Sequence, residues 1–235
     1  MGKEGKRERA SRKVACQRGR LIRKMRYSPL MCLTRDEPRS SHNQQVKSMI
    51  EGGAHFIQLR SKSIPYPNLL LDAKKAADIA KSAKARLIIN DHIELAREID
   101  ADGVHLGKND PTVKLARKYL PSGKVVGKTV HNLQEAEEAK RESPDYVGLG
   151  PYRATSTKKD ILPVLSDLEF KSIAQVLDPI PVYLIGGLTC DDFELLDTLG
   201  LSGLAICSSL FSGDLAHNVH TALSKSLSYT NRVNS

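Results

Sequence analysis

The sequence predicts an α/β fold, a single (β/α)8 TIM barrel behind a disordered, basic N-terminal tail. Three observations carry this. Eight short apolar runs recur along the chain, amphipathic stretches separate them, and no linker interrupts residues 29–225. Strands alternating with helices build βαβ units and a parallel sheet. Eight such units close into a barrel whose active site lies at the carboxyl ends of the strands. A doubly wound open sheet is the alternative, disfavoured because no GxGxxG follows the first run and no Walker sequence is present.

The runs expected as strands are Pro29–Thr34, His55–Arg60, Arg86–Asn90, Gly103–Leu106, Val125–Thr129, Tyr146–Leu149, Val182–Ile185 and Gly203–Ile206. Helical patterns between them include Asn68–Ser82, Ile93–Ile99, Leu133–Arg141 and Ser166–Leu177. Leu133–Arg141 carries a Glu- and Lys-rich solvated face, and Asn132 is placed to cap its first turn. The expected organisation is an extension over 1–27, a catalytic barrel over 28–226 and a tail over 227–235.

A chain of 235 residues can bury a full core. No run reaches the roughly 18 apolar residues of a membrane span, and none resembles a secretory h-region. The four cysteines, Cys16, Cys32, Cys190 and Cys207, form no CxxC pair and no disulfide framework, so free thiols in a reducing cytoplasm are expected. Residues 1–24 hold ten Lys and Arg against Glu4 and Glu8, which accounts for +8 of the +9 net charge and leaves +1 for the rest. A segment so charged and so poor in apolar residues is expected to be disordered. It could touch nucleic acid or anionic lipid, yet no aromatic precedes Tyr27 to stack a base. A transit peptide fits poorly, with Ser scarce and two Glu present. The expectation is that Met25 is an alternative or true start; loss of activity in a chain beginning there would count against it.

The functional reading starts at Gly148–Asp160, Gly-Leu-Gly-Pro-Tyr-Arg-Ala-Thr-Ser-Thr-Lys-Lys-Asp, directly after an apolar run. Its glycines let backbone amides approach an anion, and Thr155, Thr157, Lys158 and Lys159 add hydroxyl donors and positive charge, as a phosphate loop requires. On the second strand Gln58, Arg60 and Lys62 stand two apart and so share one side of the sheet. That suits a barrel mouth facing an anion better than a solvated edge strand, because Phe56, Ile57 and Leu59 point to burial opposite. Asp91, after the third strand, and Asp110, in Gly107-Lys-Asn-Asp-Pro, could each simply cap a helix. As a pair they suit magnesium, which takes one or two carboxylates with waters and substrate phosphates. Ile185-Gly-Gly187 and Ile206-Cys207-Ser208 end the seventh and eighth strands, where this barrel commonly binds phosphate, although Gly-Gly is also a plain tight turn. His131 is a candidate acid/base or a packing residue, and His105, inside an apolar strand, reads as a satisfied core histidine.

The ordered set Gln58–Lys62, Asn90–Asp91, Ala101–Asp110, Asp145–Pro151, Thr155–Asp160 and Ile185–Gly187 resembles the thiamine-phosphate synthase family from about residue 29 to 213. The resemblance implies a (β/α)8 barrel joining 4-amino-2-methyl-5-hydroxymethylpyrimidine diphosphate to a thiazole phosphate, with release of pyrophosphate. It also implies roles. Gln58, Arg60 and Lys62 would bind the pyrimidine diphosphate, Asn90 its diphosphate, and Asp91 and Asp110 Mg²⁺. Thr129, where the family usually has Ser, and Lys158 would contact pyrophosphate. Thr155 and Thr157 would lie near the thiazole phosphate, which Gly187, Ile206, Cys207 and Ser208 would hold. Lys62, Lys158 and Thr129 would be the catalytic groups. Three departures stand out: Ser61 for Glu, Lys128 for an apolar residue, and Met31 where an aromatic is common.

The implied chemistry is dissociative. Pyrophosphate leaves a CH₂ on an electron-rich aminopyrimidine, and the thiazole nitrogen captures the cation. The loop Ala154–Pro163 could close over the site to exclude water. A thiazole tautomerase on the same barrel, with His131 as acid/base, is the nearer rival; it leaves Asp91 and Asp110 without a task. A non-catalytic nucleic-acid or regulatory protein is more distant, and it leaves the internal Arg and Lys unexplained. Expected partners are small molecules alone, without nucleic acid or membrane, and association of identical chains stays open.

Overall fold

Eight parallel strands close on themselves, β1 against β8, and helices alternate with them around the outside. The computed structural model describes residues 27–153 and 165–233. The strands are β1 Leu30–Leu33, β2 Phe56–Leu59, β3 Arg86–Asn90, β4 Gly103–Leu106, β5 Val125–Val130, β6 Tyr146–Leu149, β7 Val182–Ile185 and β8 Gly203–Ile206. The helices are α1 His42–Glu51, α2 Tyr66–Ser82, α3 Ile93–Glu98, α4 Val113–Tyr119, α5 Leu133–Glu142, α6 Asp167–Leu177, α7 Leu195–Leu199 and α8 Leu215–Val233. Asn132 caps α5 as expected, its side chain accepting from Glu135 N at 2.9 Å.

Alternation along each strand sorts side chains between two cores. Ile57, Leu87, Ile89, Val104, Val126, Val147, Leu184 and Leu204 face outward and meet the helices. The helices answer with small residues: α2 buries Leu69, Ala73, Ala76 and Ala80 along one stripe. Alanine at those positions lets the helix axis approach the sheet closely.

The inner core is smaller and aromatic. Tyr27, Met31, Leu33, Phe56, Ile88, Val125, Tyr146, Tyr183 and Ala205 fill the barrel. Phe56 therefore shares the inner face with Gln58, rather than lying on the opposite face with Ile57 and Leu59. Large rings are admitted because glycines stand beside them. A Cβ on Gly127 would lie 2.3 Å from Tyr146 Cζ, and one on Gly203 would lie 2.5 Å from Tyr183 Cε1.

Two limits of the expected organisation differ from the structure. Tyr27, assigned to the extension, is buried: it stacks on Phe56 at 5.2 Å between centroids, with Arg86 over its ring at 5.0 Å. It closes the amino-terminal end of the barrel, a demand that composition alone does not register. The last helix runs on to Val233, past residue 226. Residues 1–26, the seat of the basic tail, lie outside the described residues.

Candidate active site

The strand ends bring the predicted residues to one cleft. Gln58 on β2, Arg60 and Lys62 just beyond it, Asn90 at the end of β3 with Asp91 after it, and Thr129 on β5 line a cavity of about 110 Å³ at the carboxyl end of the barrel. Its floor is Met31, His105, Tyr146, Tyr183, Ile185 and Ala205. An apolar and aromatic floor under a charged rim suits a small ring carrying an anionic group.

Asp91 and Asp110 meet. Asp91 lies in the left-handed region at φ 66°, a conformation Asp tolerates better than most residues. Its carboxylate forms an ion pair with Lys62 and hydrogen-bonds Asp110. Neither Asp caps a helix: His92 is the N-cap of α3, without a side-chain cap bond, and Thr112 caps α4. Asp110 instead accepts from Gly107 N at 2.6 Å, which folds its turn back toward β3. Burial raises both carboxyl groups, but the hydrogen bond and charge of Lys62 hold Asp91 below the ordinary range. Asp110 stays raised, through burial and then through Asp91 itself. Beside them, Asn90 is buried and its Nδ2 has no hydrogen-bond partner among the described residues.

His105 is satisfied, as expected, yet it is part of the cleft floor. Its Nδ1 lies 3.0 Å from the Tyr146 hydroxyl and its Nε2 2.8 Å from Thr129 Oγ1. It thus orients the hydroxyl of Thr129. His131 also lines the cleft, with Nδ1 and its backbone N–H both 2.8 Å from Glu135 Oε2. Glu135 pairs further with Lys108 at 3.0 Å; burial opposes ionisation, but Lys108 and His131 together hold its carboxyl below the ordinary range.

The three departures are accommodated. Lys128 leaves β5 unbroken and donates to Gly107 O at 3.1 Å, on the turn that carries Asp110. Met31 offers Sδ to Gln58 Nε2 at 3.5 Å. Ser61 is buried and hydrogen-bonds Asp36.

Gly187, Ile206, Cys207 and Ser208 stand at the ends of β7 and β8, beside the cavity rather than in its lining. Gly187 is left-handed at φ 64°, and Ser208 opens a 3-10 turn over Ser208–Phe211. Burial raises the Cys207 thiol, while Arg60 and Arg35 pull it down, which puts both guanidinium groups near this end. Thr155, Thr157 and Lys158, with the loop expected as a lid, lie outside the described residues.

Sequence reasoning passed over Thr34, Asp36 and His42. Asp36 receives Lys62 N at 2.8 Å, Ser63 N at 2.9 Å and Ser63 Oγ at 2.8 Å. Burial pushes its carboxyl up, but these bonds, with Ser61 and His42, hold it far below the usual range. The available signal was a polar cluster, Thr34-Arg-Asp-Glu37, at the end of the first strand. A carboxyl lowered by folding stabilises the protein above its unfolded value of ~3.9 and ceases to do so as pH falls through the folded value. Asp36→Asn is therefore expected to lower the thermal midpoint at neutral pH, with the deficit shrinking toward about pH 2. A deficit that stays constant with pH in thermal scans would contradict the assignment.

Among relatives, the chain is 38% identical over 165 residues to a thiamine-phosphate synthase of Methanobrevibacter smithii, covering 70% of this chain and 78% of that one. It is 31% identical over 189 residues to one of Bacteroides thetaiotaomicron, covering 79% and 90%. The fold superposes on a thiamine phosphate pyrophosphorylase of Pyrococcus furiosus with a TM-score of 0.76 at 25% identity, over 86% of this chain and 96% of that one. Residues 30–210 match the family described as thiamine monophosphate synthase, and the chain belongs to that family.

Proposed function

We propose that this enzyme is a transferase that makes thiamine phosphate from 4-amino-2-methyl-5-hydroxymethylpyrimidine diphosphate and a thiazole phosphate, releasing pyrophosphate. The observation that carries the reading is the meeting of Asp91, Asp110 and Lys62 over one cleft, beside buried Asn90, whose amide N–H has no partner among the described residues. Such a set has little use except around an anion that brings its own oxygens.

Mg²⁺ fits this donor set. Among the described residues no group of three or more His, Cys, Asp or Glu forms a closed cage. Two adjacent carboxylates match the ion's preference for a partial protein shell completed by waters and phosphate. Asp91 and Asp110 would hold it, and bound there it would neutralise charge on the departing diphosphate. Lys62 and Arg60 take the remaining negative charge, and Asn90 donates its free N–H to a phosphate oxygen. His105 keeps Thr129 turned toward the same group. Gln58, over the apolar floor, orients the pyrimidine. Catalysis is then positioning and charge stabilisation, without a nucleophilic side chain.

Gly187 and Ile206–Ser208 would hold the thiazole phosphate, while Thr155, Thr157 and Lys158 would complete the site from the loop over it. Among the described residues no helix is long and apolar enough to cross a membrane. The unpaired thiols of Cys32, Cys190 and Cys207 fit a cytoplasmic enzyme acting on small molecules; burial pushes Cys32 up to about 12, so it stays protonated.

The test is pyrophosphate release by the purified chain with both substrates, first with Mg²⁺ and then with EDTA. Release that needs both substrates and the metal, with thiamine phosphate formed, is the expected result. No release from folded protein would sink the synthase and direct attention to thiazole tautomerisation at His131.

A further inference from the structure

We infer that Thr34, His42 and Asp36 form a positioning relay that presets Arg60 and Lys62 for the diphosphate of the pyrimidine substrate. The inference rests on the site proposed above and concerns residues outside its lining. Thr34 and His42 are 0% and 1% exposed. Polar groups buried so completely must be hydrogen-bonded to be tolerated, and here every partner leads back to one short segment.

Arg60 N–H donates to Thr34 Oγ1 at 3.0 Å. Thr34 Oγ1 lies 2.7 Å from His42 Nδ1, and His42 Nε2 lies 3.1 Å from Asp36 Oδ1. The other oxygen of Asp36 receives Lys62 N at 2.8 Å. The chain of bonds thus begins on the backbone of Arg60 and ends on that of Lys62, bracketing Ser61. Proton directions follow from the ends. Thr34 Oγ1 accepts from Arg60, so its own proton goes to His42 Nδ1. His42 then donates from Nε2 to the carboxylate, and this one tautomer satisfies every member.

The backbone that carries the imidazole is held from outside the barrel. His42 N donates to Asp72 Oδ2 on α2 at 2.7 Å. The relay therefore ties β1, α1 and α2 to the segment that leaves β2. The side chains at its two ends are treated differently from the backbone. Among the described residues Arg60 makes no side-chain hydrogen bond or ion pair, and Lys62 pairs only with Asp91. The backbone is held at both ends, while the Arg60 guanidinium is left for a ligand and the Lys62 ammonium rests on Asp91 at the cleft. Charged groups so preset are the arrangement a diphosphate needs, since small misplacements of a contact group cost binding and turnover steeply.

The experiment uses the full chain with His42→Leu, His42→Gln and Thr34→Val, titrated with inorganic pyrophosphate in Mg²⁺ and assayed for KM of each substrate. His42→Leu and Thr34→Val are expected to weaken pyrophosphate and raise the pyrimidine KM about tenfold, leaving the thiazole KM within about twofold. His42→Gln, whose amide can donate to Asp36 and accept from Thr34, should recover most of the loss. Folded variants that bind pyrophosphate like the wild type, or that raise both KM values equally, would overturn the relay. If His42→Leu does not fold, Thr34→Val decides alone, and unfolding of both makes these residues a stability element and overturns the proposal. A wild-type chain that binds no pyrophosphate refutes the site beneath the relay, a result distinct from either.

Discussion

Asp91→Asn is expected to lower turnover by about 10²–10³ in the presence of Mg²⁺, the scale on which enzymes lose a single charge-stabilising group. Asn is the informative replacement because residue 91 sits at φ 66°. Asn tolerates the left-handed region, whereas Ala there adds about 1 kcal/mol of strain unrelated to the metal. The variant removes one of two carboxylates and leaves the Lys62 ammonium without its ionic partner. Two opposite changes in pyrophosphate affinity follow. With Mg²⁺ it falls, because Asp110 alone must hold the ion. In EDTA it rises, because a negative charge has gone from beside the ligand while Lys62 remains. Calorimetric titrations with and without the metal read both signs, and circular dichroism checks that the barrel persists. Turnover near normal, or weaker binding in both conditions, would sink the assignment of Asp91.

A large stability effect is expected at Gly127→Ala, a loss of about 3 kcal/mol. Gly127 is paired with His105 on β4 and with Tyr146 on β6, so the three stand in one row across the barrel. Its missing side chain lets the two rings meet, stacked at 5.4 Å and bonded through Nδ1 and the hydroxyl. A Cβ would lie 2.3 Å from Tyr146 Cζ and 2.6 Å from His105 Nδ1. Neither ring can retreat, since both are buried and hydrogen-bonded. The damage should reach function too, because His105 orients Thr129. In denaturant unfolding, Gly127→Ala combined with Tyr146→Leu should cost clearly less than the two single losses added. Strict additivity would mean that the clash is not the cause.

The strands were legible to different degrees, for a physical reason. β3, β4, β6, β7 and β8 run between the limits expected, because a strand buried on both faces ends where its apolar run ends. β1 and β2 stop short of Thr34 and Arg60. Both residues belong to the strand-end network, in which side chains replace ladder partners: Thr34 N still reaches Gln58 O at 2.9 Å, but Arg60 N turns to Thr34 Oγ1. The site was legible in the same graded way. Gln58 and Arg60 share a face by period two, and that survives any detail of the fold. Whether Asp91 and Asp110 cap helices or face each other is not decided by local pattern, since an acidic residue before a helix suits both.

By itself, then, the sequence determined the alternation of strands and helices, the closure class that eight such units allow, and which polar residues stand at strand ends. Those are properties of segments a few residues long, set by backbone periodicity and burial. The tertiary structure alone decided that Asp91 meets Asp110 through the Gly107 turn, that glycine in one strand admits tyrosine from the next, and that His42 joins Thr34 to Asp36 behind Arg60 and Lys62. Each of these depends on the register between neighbouring strands and on how loops fold back over the barrel mouth. Contacts of that kind are fixed only when all eight strands share one closed ladder, and no local run of residues encodes them.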